Sequence, residues 1–480
     1  MIVVLVNEPK FEYDIHSLVK AFYPKEDVKV ITDQESVSDV SYTFKVSFDE
    51  QKISFFDEKG NLLSTVENPA NSERVKEKNN VKKLIYDALS KKEGRTLVWG
   101  DLTGIRPTKI PRKLLEEGKS DSEILKYMQD TYFVSDEKAN LSIDIAKREI
   151  EILRPLREKG YSIYIGIPFC PTTCLYCSFT SNPIAMWRER VSDYLSALEK
   201  EIKFVSEKRK GKTIDTIYIG GGTPTTLSAD ELDRLLTMID DNLDVSKLLE
   251  YTVEAGRADS ITLDKLKVLK AHNVTRISVN PQTMNQKTLD IIGRRHTVED
   301  VIRAFYDARS EGFSNINMDI ILGLPEEGIK EVSHTLSEIE KLNPDSLTVH
   351  SLAIKRASRL NEWILQNGYA TMINTAETMK CASDSAKRMG MHPYYLYRQK
   401  NMAGNFENTG YSKEGCYGIY NILIMEELEP IVAMGPGSVS KILTKEGKPV
   451  RSDNVKDVSL YIEKIDEMLD RKDKLFALED

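Results

Sequence analysis

Apolar residues in the middle of the chain follow two alternating patterns. Short apolar runs predict six strands, which are Tyr161–Pro168, Thr216–Gly220, Tyr251–Ala255, Thr275–Asn280, Asn315–Gly323 and Ser346–Leu352. Between them, apolar residues recur at helical spacing, and Ser228 and Glu231 form the S-x-x-E pattern of a capping box. Six strand–helix units in succession predict a parallel sheet with helices outside. Because a closed barrel has eight units, we expect an α/β fold with a partial (β/α)6 barrel.

The pattern is different on either side of this region. Near the N-terminus, "SYTFKVSF" and "KISFFDE" alternate as strands do, and "VKKLIYDALSKK" has helical spacing. Beyond the last strand, "TAETMKCASDSAKRMG" predicts a helix, and a polar, aromatic tract follows it. We therefore predict three domains: an N-terminal α+β extension (1–155), the partial barrel (156–355) and a mostly helical C-terminal domain (356–480).

Composition narrows the class of protein. Hydrophobic residues make up 40% of the chain and charged residues 30%, which is typical of a globular protein. A formal net charge of -8 argues against nucleic acid as a partner. No apolar window is long enough to predict a membrane span, and "MIVVLV" reads as a first strand rather than a signal peptide. The five cysteines do not suggest a disulfide framework, so we expect a cytoplasmic protein.

Three of those cysteines lie together directly after the first barrel strand. Cys170, Cys174 and Cys177 follow the pattern C-x3-C-x2-C. The carboxyl ends of parallel strands are where such folds place their active sites. Structural zinc needs four ligands, so three thiolates favour an iron–sulfur cluster with one iron left open for a cosubstrate. A zinc site completed by a distant residue, or three unconnected buried thiols, are the alternatives.

This cysteine spacing, with Tyr176 before the last cysteine, resembles that of the radical S-adenosylmethionine (SAM) superfamily. A second motif, "YIGGGTPTTL", ends the second strand, and its glycines allow the backbone to approach a ligand closely. The resemblance implies a [4Fe–4S] cluster whose open iron chelates SAM. It also implies that one electron from the cluster cleaves SAM to methionine and a 5′-deoxyadenosyl radical.

Further stretches narrow the resemblance to one branch. "YIGIPFC", "EAGRAD", "RISVNPQTMNQKTLDIIGRRH" and "NMDIILGLPEE" are similar to the oxygen-independent coproporphyrinogen III dehydrogenases, and most of all to their longer, HemZ-type form. The implied reaction converts two propionates of coproporphyrinogen III to vinyl groups in haem biosynthesis. It would yield protoporphyrinogen IX without oxygen, and would need an electron donor and an acceptor that the sequence does not identify.

The resemblance also implies a set of site residues. The three cysteines would bind the cluster, and the cluster and SAM would carry the chemistry without a further catalytic side chain. The implied SAM contacts are Tyr164, Tyr176, Gly221, Gly222, Thr223, Glu254, Gln282, Arg294 and Asp319. Read without the resemblance, the acids among them could cap turns and the arginine could pair with a surface acid. The chain departs from its relatives at Gly166, where histidine is common, and at Phe179, where some carry another cysteine.

A tetra-anionic tetrapyrrole would need cationic partners, preferably arginine. Lys355, Arg356 and Arg359 follow the sixth strand, and Arg398 and Lys400 lie among tyrosines. We predict that Arg398 and Lys355 bind the substrate. Solvated charges and a tyrosine-rich core are equally compatible with these residues.

Two other functions remain open. One is a haem-binding chaperone, because a sister group with an H-N-x-x-Y-W pattern uses the same scaffold. The His272–Asn273 pair here is not followed by Tyr-Trp, which argues against that function. The other is a radical SAM enzyme acting on a different tetrapyrrole. Cys381 and Cys416 lack the spacing of a second cluster.

Overall fold

The computed structural model describes residues 1–32, 42–68, 73–157, 160–179, 181–355, 358–368, 372–399 and 406–479. The chain forms two compact units. The first contains Met1–Lys147 and Leu396–Glu407, and the second contains Arg148–Tyr395 and Asn408–Asp480. The division into three domains remains a prediction.

The first unit contains a five-stranded sheet in the order β2–β1–β3–β4–β5. Its strands are β1 (Ile2–Val6), β2 (Val28–Thr32), β3 (Phe44–Phe48), β4 (Lys52–Asp57) and β5 (Leu62–Glu67). Strand β1 runs parallel to β2 and β3, whereas β3, β4 and β5 pair antiparallel. Every second residue of β3, starting at Phe44, is buried, so one face of this strand lies in the core.

The first unit also contains helices. They are α1 (Glu12–Phe22), α2 (Arg74–Glu93), α3 (Lys109–Glu116), α4 (Asp121–Tyr132) and α5 (Asp136–Ile152), the last of which continues into the second unit. Helices α1 and α2 supply Ile15, Leu18, Ile85 and Leu89 to the core of the sheet. The predicted α+β character of this region is therefore confirmed.

The second unit is built on a larger, mostly parallel sheet. After the predicted sixth strand the chain adds further strands, so that eleven strands pair in one sheet among the described residues. The strands of the barrel are β6 (Gly160–Ile167), β9 (Thr213–Gly221), β10 (Glu250–Gly256), β11 (Arg276–Val279), β12 (Ile316–Leu322) and β13 (Ser346–Ser351). All six are the predicted ones, and they pair parallel as expected for a partial (β/α)6 barrel. A two-residue pair, β7 (Phe169–Cys170) and β8 (Asn182–Pro183), closes the loop after β6.

Amphipathic helices connect these strands. They are α6 (Val191–Lys208), α7 (Ala229–Asn242), α8 (Leu263–Ala271), α9 (Gln286–Ile291), α10 (Val298–Ser310) and α11 (Ile329–Leu342). The predicted capping box of α7 is present, since Glu231 N donates to Ser228 Oγ at 3.2 Å and Ser228 N donates to the Glu231 carboxylate at 2.7 Å. Each helix buries one apolar face, which covers the sheet and leaves the strand ends to form the site.

The C-terminal part of the chain contains helices and further strands of the same sheet. The helices are α12 (Leu360–Asn367), α13 (Ala376–Arg388), α14 (Ile419–Glu426), α15 (Val458–Glu463) and α16 (Ile465–Phe476). The strands are β14 (His392–Tyr397), β15 (Asn408–Ser412), β16 (Ile431–Met434), β17 (Val439–Leu443) and β18 (Pro449–Asp453). The order of the whole sheet is β14–β15–β13–β12–β11–β10–β9–β6–β16–β17–β18. Strand β16 runs parallel to β6 on the side opposite β9, so the strand that leads to the cysteines has neighbours on both sides. Among the described residues, no helix has the length and apolar character needed to cross a bilayer.

Candidate cluster and cofactor site

The three clustered cysteines lie on one loop at the carboxyl end of β6. Backbone hydrogen bonds fold this loop, from Cys177 N to Cys174 O at 3.2 Å and from Asn182 N to Pro168 O at 2.9 Å. Leu175 N donates to Ile292 O at 2.9 Å and thereby ties the loop to the segment after β11. The loop is therefore held by its own backbone and by the βα unit that begins with β11.

The thiols of this loop lie mostly out of solvent. Cys170 and Cys174 are buried, and Cys177 is half-buried. Burial raises the pKa of the Cys170 thiol, and it raises that of Cys177 to about 11. Such thiols stay protonated near neutral pH without a metal, and a metal would displace their protons. These two thiols are therefore better suited to being ligands than to being free nucleophiles.

Polar side chains surround the thiols. Thr223 Oγ1 donates to Cys170 Sγ at 3.6 Å, and Arg257 Nη1 lies 3.7 Å from Cys174 Sγ. The buried guanidinium of Arg294 also interacts with Cys174. Donors and positive charge around sulfur are what an anionic iron–sulfur cluster requires.

The glycine loop after β9 packs directly against the cysteine loop. Gly222 N donates to Ile167 O and Thr223 N donates to Phe169 O, both at 2.7 Å. A Cβ at position 222 would lie 2.4 Å from Phe169 O and 3.0 Å from Cys170 Sγ. Gly221 has a φ of +103°, which a side chain would disfavour. The sequence needs glycine here because the two loops approach so closely.

Three tyrosine rings stack inside the barrel. The ring of Tyr164 lies 6.2 Å from those of Tyr218 and Tyr420, which are 4.6 Å from each other. Burial raises the pKa of Tyr164, so its phenol remains protonated and can donate. Tyr218 donates its hydroxyl hydrogen to the carboxylate of Glu254. The predicted residues Tyr164 and Glu254 are thus brought together by two tyrosines that sequence reasoning missed.

The two acids predicted to contact SAM have different environments. Burial raises the pKa of Glu254 to about 7, although the hydrogen bond from Tyr218 opposes this. Burial also acts on Asp319, but His350 and the hydrogen bonds of Asn317 and Thr348 outweigh it and lower the pKa of Asp319. His350 Nε2 lies 3.7 Å from Asp319 Oδ2. Asp319 is therefore ionised and already has hydrogen-bond partners. Glu254 would lose its proton when a cationic group binds beside it, because the positive charge would lower its pKa.

Several buried polar atoms near these acids have no partner. Gln282 adopts a φ of +66° because its backbone bridges β12, with Gln282 N donating to Asp319 O and Ile321 N donating to Gln282 O, both at 2.9 Å. Its Oε1 has no hydrogen-bond partner, and neither have Asn280 Oδ1 and Arg294 Nε. The Arg294 guanidinium does donate to Asn280 O and, at 3.3 Å, to Tyr176 Oη. Since buried polar groups are almost always satisfied, these atoms indicate a polar ligand.

These residues fit the cluster and cofactor that the resemblance implies. Among the described residues, no three His, Cys, Asp or Glu side chains converge on a single metal ion. A cuboidal cluster does not need its ligands to converge on one ion, because each cysteine binds a separate iron. Three thiols on one buried loop can each bind one iron, and the two nearby guanidiniums can offset the negative charge of the cluster. The unpartnered polar atoms can bind a polar cosubstrate.

The predicted substrate residues after β13 lie on the same side of the barrel as the cysteine loop. Lys355 is half-buried, and its pKa is lowered by burial and raised by nearby Cys177, with burial the larger effect. Arg359 is exposed and donates to Thr173 O within the cysteine loop. Arg356 and Lys400 lie outside the described residues.

Arg398, the other predicted substrate residue, belongs to the first unit. It is 6% exposed, donates to Leu102 O, and its guanidinium lies 5.5 Å from the centre of the Trp99 ring. Burial lowers its pKa to about 10. These partners all lie in the first unit, and a role for Arg398 in binding substrate remains a prediction.

Sequence reasoning missed several residues of the site. Arg257 carried a usable signal, because it follows β10 within the "EAGRAD" motif, at the end of the sheet where the cysteines lie. Tyr218 carried one too, since it stands two residues before Gly220 and so points to the same face of β9. Tyr420 carried none, because only the folded chain brings α14 to the barrel interior.

Comparisons with known proteins agree with this site. The sequence profile of the Radical SAM superfamily matches residues 164–339. Oxygen-independent coproporphyrinogen-III oxidase-like protein HemZ of Bacillus subtilis (strain 168) is 44% identical over 403 residues, covering 83% of this chain and 80% of the relative. Heme chaperone HemW of the same organism is 34% identical over 263 residues, covering 54% of this chain and 68% of the relative.

A solved structure gives the same fold. Coproporphyrinogen III oxidase (HemN) from Escherichia coli, described as a radical SAM enzyme, superimposes with a TM-score of 0.53 at 22% identity, over 67% of this chain and 72% of that one. The chain therefore belongs to the radical SAM family that includes HemZ and HemW. The superfamily uses a [4Fe–4S] cluster and SAM.

Proposed function

We propose that the protein is an oxygen-independent coproporphyrinogen III dehydrogenase that decarboxylates two propionates of its substrate to vinyl groups, yielding protoporphyrinogen IX. The observation that carries the proposal is the joining, in one buried site, of three loop thiols with unpartnered polar atoms, in a chain 44% identical to HemZ. The reaction would take place in the cytoplasm, in line with free cysteines throughout the described chain.

Different residues of the site would bind the cluster and the cofactor. Cys170, Cys174 and Cys177 would hold the cluster, which together with SAM supplies the hydrogen abstraction at the propionate β-carbon. Glu254 would ionise on meeting a cationic group of the cofactor, because its pKa of about 7 reflects burial rather than a fixed neutral state. Gln282 Oε1 would accept from the cofactor, since it has no other partner.

The barrel interior would keep water from the reacting groups. Tyr164, Tyr218 and Tyr420 form a continuous aromatic stack beside Glu254. The apolar faces of these rings fill the space between the strands, and their hydroxyl groups remain protonated because burial raises their pKa. Exclusion of water protects a reactive centre from side reactions.

A cationic cleft beside the cysteine loop is suited to the substrate's carboxylates. It has a volume of about 720 Å³ and is lined by Pro171, Thr172 and Thr173 of the loop, by Arg294, Arg295 and Arg359, and by one acid, Asp290. Arg295 is exposed and forms no ion pair with any described residue. Arginine binds carboxylates bidentately, so we propose that Arg295 and Arg359, with Lys355 nearby, receive propionates.

A haem chaperone is the second candidate, and the 34% identity to HemW favours it. The only His-Asn pair of the chain lies at the end of α8, where His272 Nδ1 is 2.6 Å from Asp240 Oδ2 and His272 Nε2 is 3.1 Å from Asp233 Oδ1. Both ring nitrogens are occupied, so His272 is poorly placed to bind haem iron. A reaction on another tetrapyrrole is the third candidate.

Anaerobic turnover distinguishes the three. The protein is reconstituted with iron and sulfide and mixed with SAM, a reductant and coproporphyrinogen III. We expect CO2 and protoporphyrinogen IX in a two-to-one ratio, and the same yield from the Cys381→Ala control. Tight haem binding without SAM cleavage would support the chaperone instead. SAM cleavage that yields no CO2 from coproporphyrinogen III would point to another substrate.

A further inference from the structure

A buried arginine outside the predicted site contacts the central cysteine of the loop. Arg257 follows β10 directly and is 3% exposed. Its Nη1 donates to Thr172 O and to Thr172 Oγ1, both at 2.9 Å, and lies 3.7 Å from Cys174 Sγ. One nitrogen therefore binds both the backbone of the cysteine loop and the sulfur of a predicted ligand.

The orientation of this arginine is fixed from the other side. Arg257 Nε donates to Asp259 Oδ1 at 3.0 Å and Nη2 donates to Asp259 Oδ2 at 2.7 Å. Behind Asp259 lies His296, which is 1% exposed and whose Nδ1 is 3.8 Å from Asp259 Oδ1. A bidentate pair with a packed neighbour leaves the guanidinium one orientation, with Nη1 towards Cys174.

The charges around Cys174 do not balance without a bound anion. Two buried guanidiniums, of Arg257 and Arg294, reach this thiol. Asp259 neutralises the first, but the described residues offer Arg294 no carboxylate partner. A buried, uncompensated cation is costly, so the site is built for negative charge at the sulfur.

We propose that Arg257 is a positioning residue that makes the cluster easier to reduce. The step is the uptake of one electron from an external one-electron reductant, with no bond made or broken in the protein. The N–H···S bond from Arg257 stabilises the added electron on the cluster, and hydrogen bonds to the sulfurs are known to set the potential of such clusters. The inference rests on Cys170, Cys174 and Cys177 being the cluster ligands.

The test is the reduction potential, measured without any tetrapyrrole. The unaltered protein, Arg257→Met and Arg257→Lys are reconstituted and titrated anaerobically with titanium(III) citrate, and the reduced cluster is followed by electron paramagnetic resonance. For Arg257→Met we expect at least a tenfold less favourable reduction, which corresponds to a potential about 59 mV more negative. For Arg257→Lys we expect a smaller shift in the same direction, because the positive charge remains but the planar, bidentate geometry of the guanidinium is lost.

A matched control and a second measurement complete the experiment. Arg234→Met removes a guanidinium that donates to Ser192 and Ser196 on the outer helices, and should leave the potential unchanged. Resonance Raman spectra should show altered Fe–S(Cys) stretching in both Arg257 variants and not in the control. If Arg257→Met fails to retain iron, the potential and spectrum of Arg257→Lys decide.

Three outcomes would overturn the proposal. The first is an unchanged reduction potential in Arg257→Met at full iron content, and the second is a shift of equal size in Arg234→Met. The third applies if Arg257→Met holds no cluster: it is an Arg257→Lys variant whose potential and Raman spectrum are both unchanged. Failure of coproporphyrinogen III turnover alongside the expected shifts would reject the proposed substrate and leave the role of Arg257 standing. An unaltered protein that assembles no cluster would reject both.

Discussion

Two buried charged clusters in the second unit are built in opposite ways. Around Glu201, which is fully buried, every acceptor is used: Oε1 receives Asn454 Nδ2 at 2.8 Å and Lys472 Nζ at 2.5 Å. Its Oε2 receives Gly435 N at 2.9 Å and Tyr461 Oη at 2.5 Å. This cluster, which we call the Glu201 network, joins α6 to the loop after β16 and to α16, and leaves no capacity for a ligand.

Beside the cysteine loop the polar groups are somewhat less buried, and their hydrogen bonding is left incomplete. Gln282 Oε1, Asn280 Oδ1 and Arg294 Nε have no partners, and the cationic side chains outnumber the acids that neutralise them. The difference shows that burial of charge does not mark a functional site by itself. Buried atoms without a partner also occur elsewhere, as at Arg209 Nε and Nη2, so it is their gathering beside the cysteine loop that indicates a ligand.

The largest expected effect follows from removing a thiol of the incomplete site. Cys174→Ala should lose the reduced-cluster signal and the cleavage of SAM together, because the cluster would lose one of its three protein ligands. Iron content, sulfide content and the yield of 5′-deoxyadenosine measure this. Cys381→Ala, which removes a half-buried thiol of α13, should behave like the unaltered protein. Turnover by the Cys174 variant would contradict the role of the loop.

A large loss of stability is expected from breaking the complete cluster. Glu201→Ala leaves the Lys472 ammonium buried without its carboxylate, and should lower the free energy of unfolding by about 3–5 kcal/mol. Denaturant unfolding measures it. Glu199→Ala on the same helix removes an exposed pair with Lys203, and should cost less than about 1 kcal/mol. Equal losses in both variants would mean that the Glu201 network does not stabilise the fold.

A smaller effect concerns pH and Glu254. In the native state its pKa is raised from 4.5 to about 7, mainly by burial, so the native protein holds this proton more tightly than the unfolded chain. The resulting stability is fully present below about pH 4.5 and is lost as the pH rises through about 7. Cofactor-free protein should therefore lose about 2 kcal/mol from this group between about pH 5 and pH 8.

The matched variant isolates that contribution. Glu254→Gln cannot ionise, so the difference in stability between it and the unaltered protein should change with pH by that amount. Unfolding measured at intervals across this pH range gives the difference directly. A difference that stays constant would show that the carboxyl of Glu254 titrates normally in the native state.

The smallest expected effect lies on the outside of the barrel. His272→Ala removes partly exposed ion pairs with Asp233 and Asp240, and should cost less than about 1 kcal/mol. It should also leave any haem binding by the protein unchanged, as judged by absorbance titration. Loss of haem binding in this variant would instead support the haem-chaperone function.

The sequence was most informative where a local pattern carries the structure. The six barrel strands were predictable because short apolar runs alternate with amphipathic helices, and five of them agree with the structure to within one residue at each end. The position of the cysteines and the glycine loop followed from the same pattern, since both come directly after parallel strands. Local spacing was sufficient in these cases because each element carries its own signal.

The rest depends on contacts that are distant in sequence. Strand β16 was missed because "IVAM" is only four residues long and runs into Gly435 and Pro436, which are typical of a loop. The burial of Arg398 against Trp99 depends on a segment almost 300 residues away, and no local pattern predicts such a pairing. Arg257 was overlooked although its position after β10 was visible in the sequence, because its contacts with Thr172 and Cys174 join segments more than 80 residues apart.

The position of β16 has a consequence for how the protein is made. Strand β6, which leads into the cysteines, acquires its second neighbour only when residues 431–434 have left the ribosome. Until then its outer edge presents unpaired amide and carbonyl groups, which invite association with other chains. Docking of residues 431–434 therefore shields the strand that carries the cysteine loop from such association.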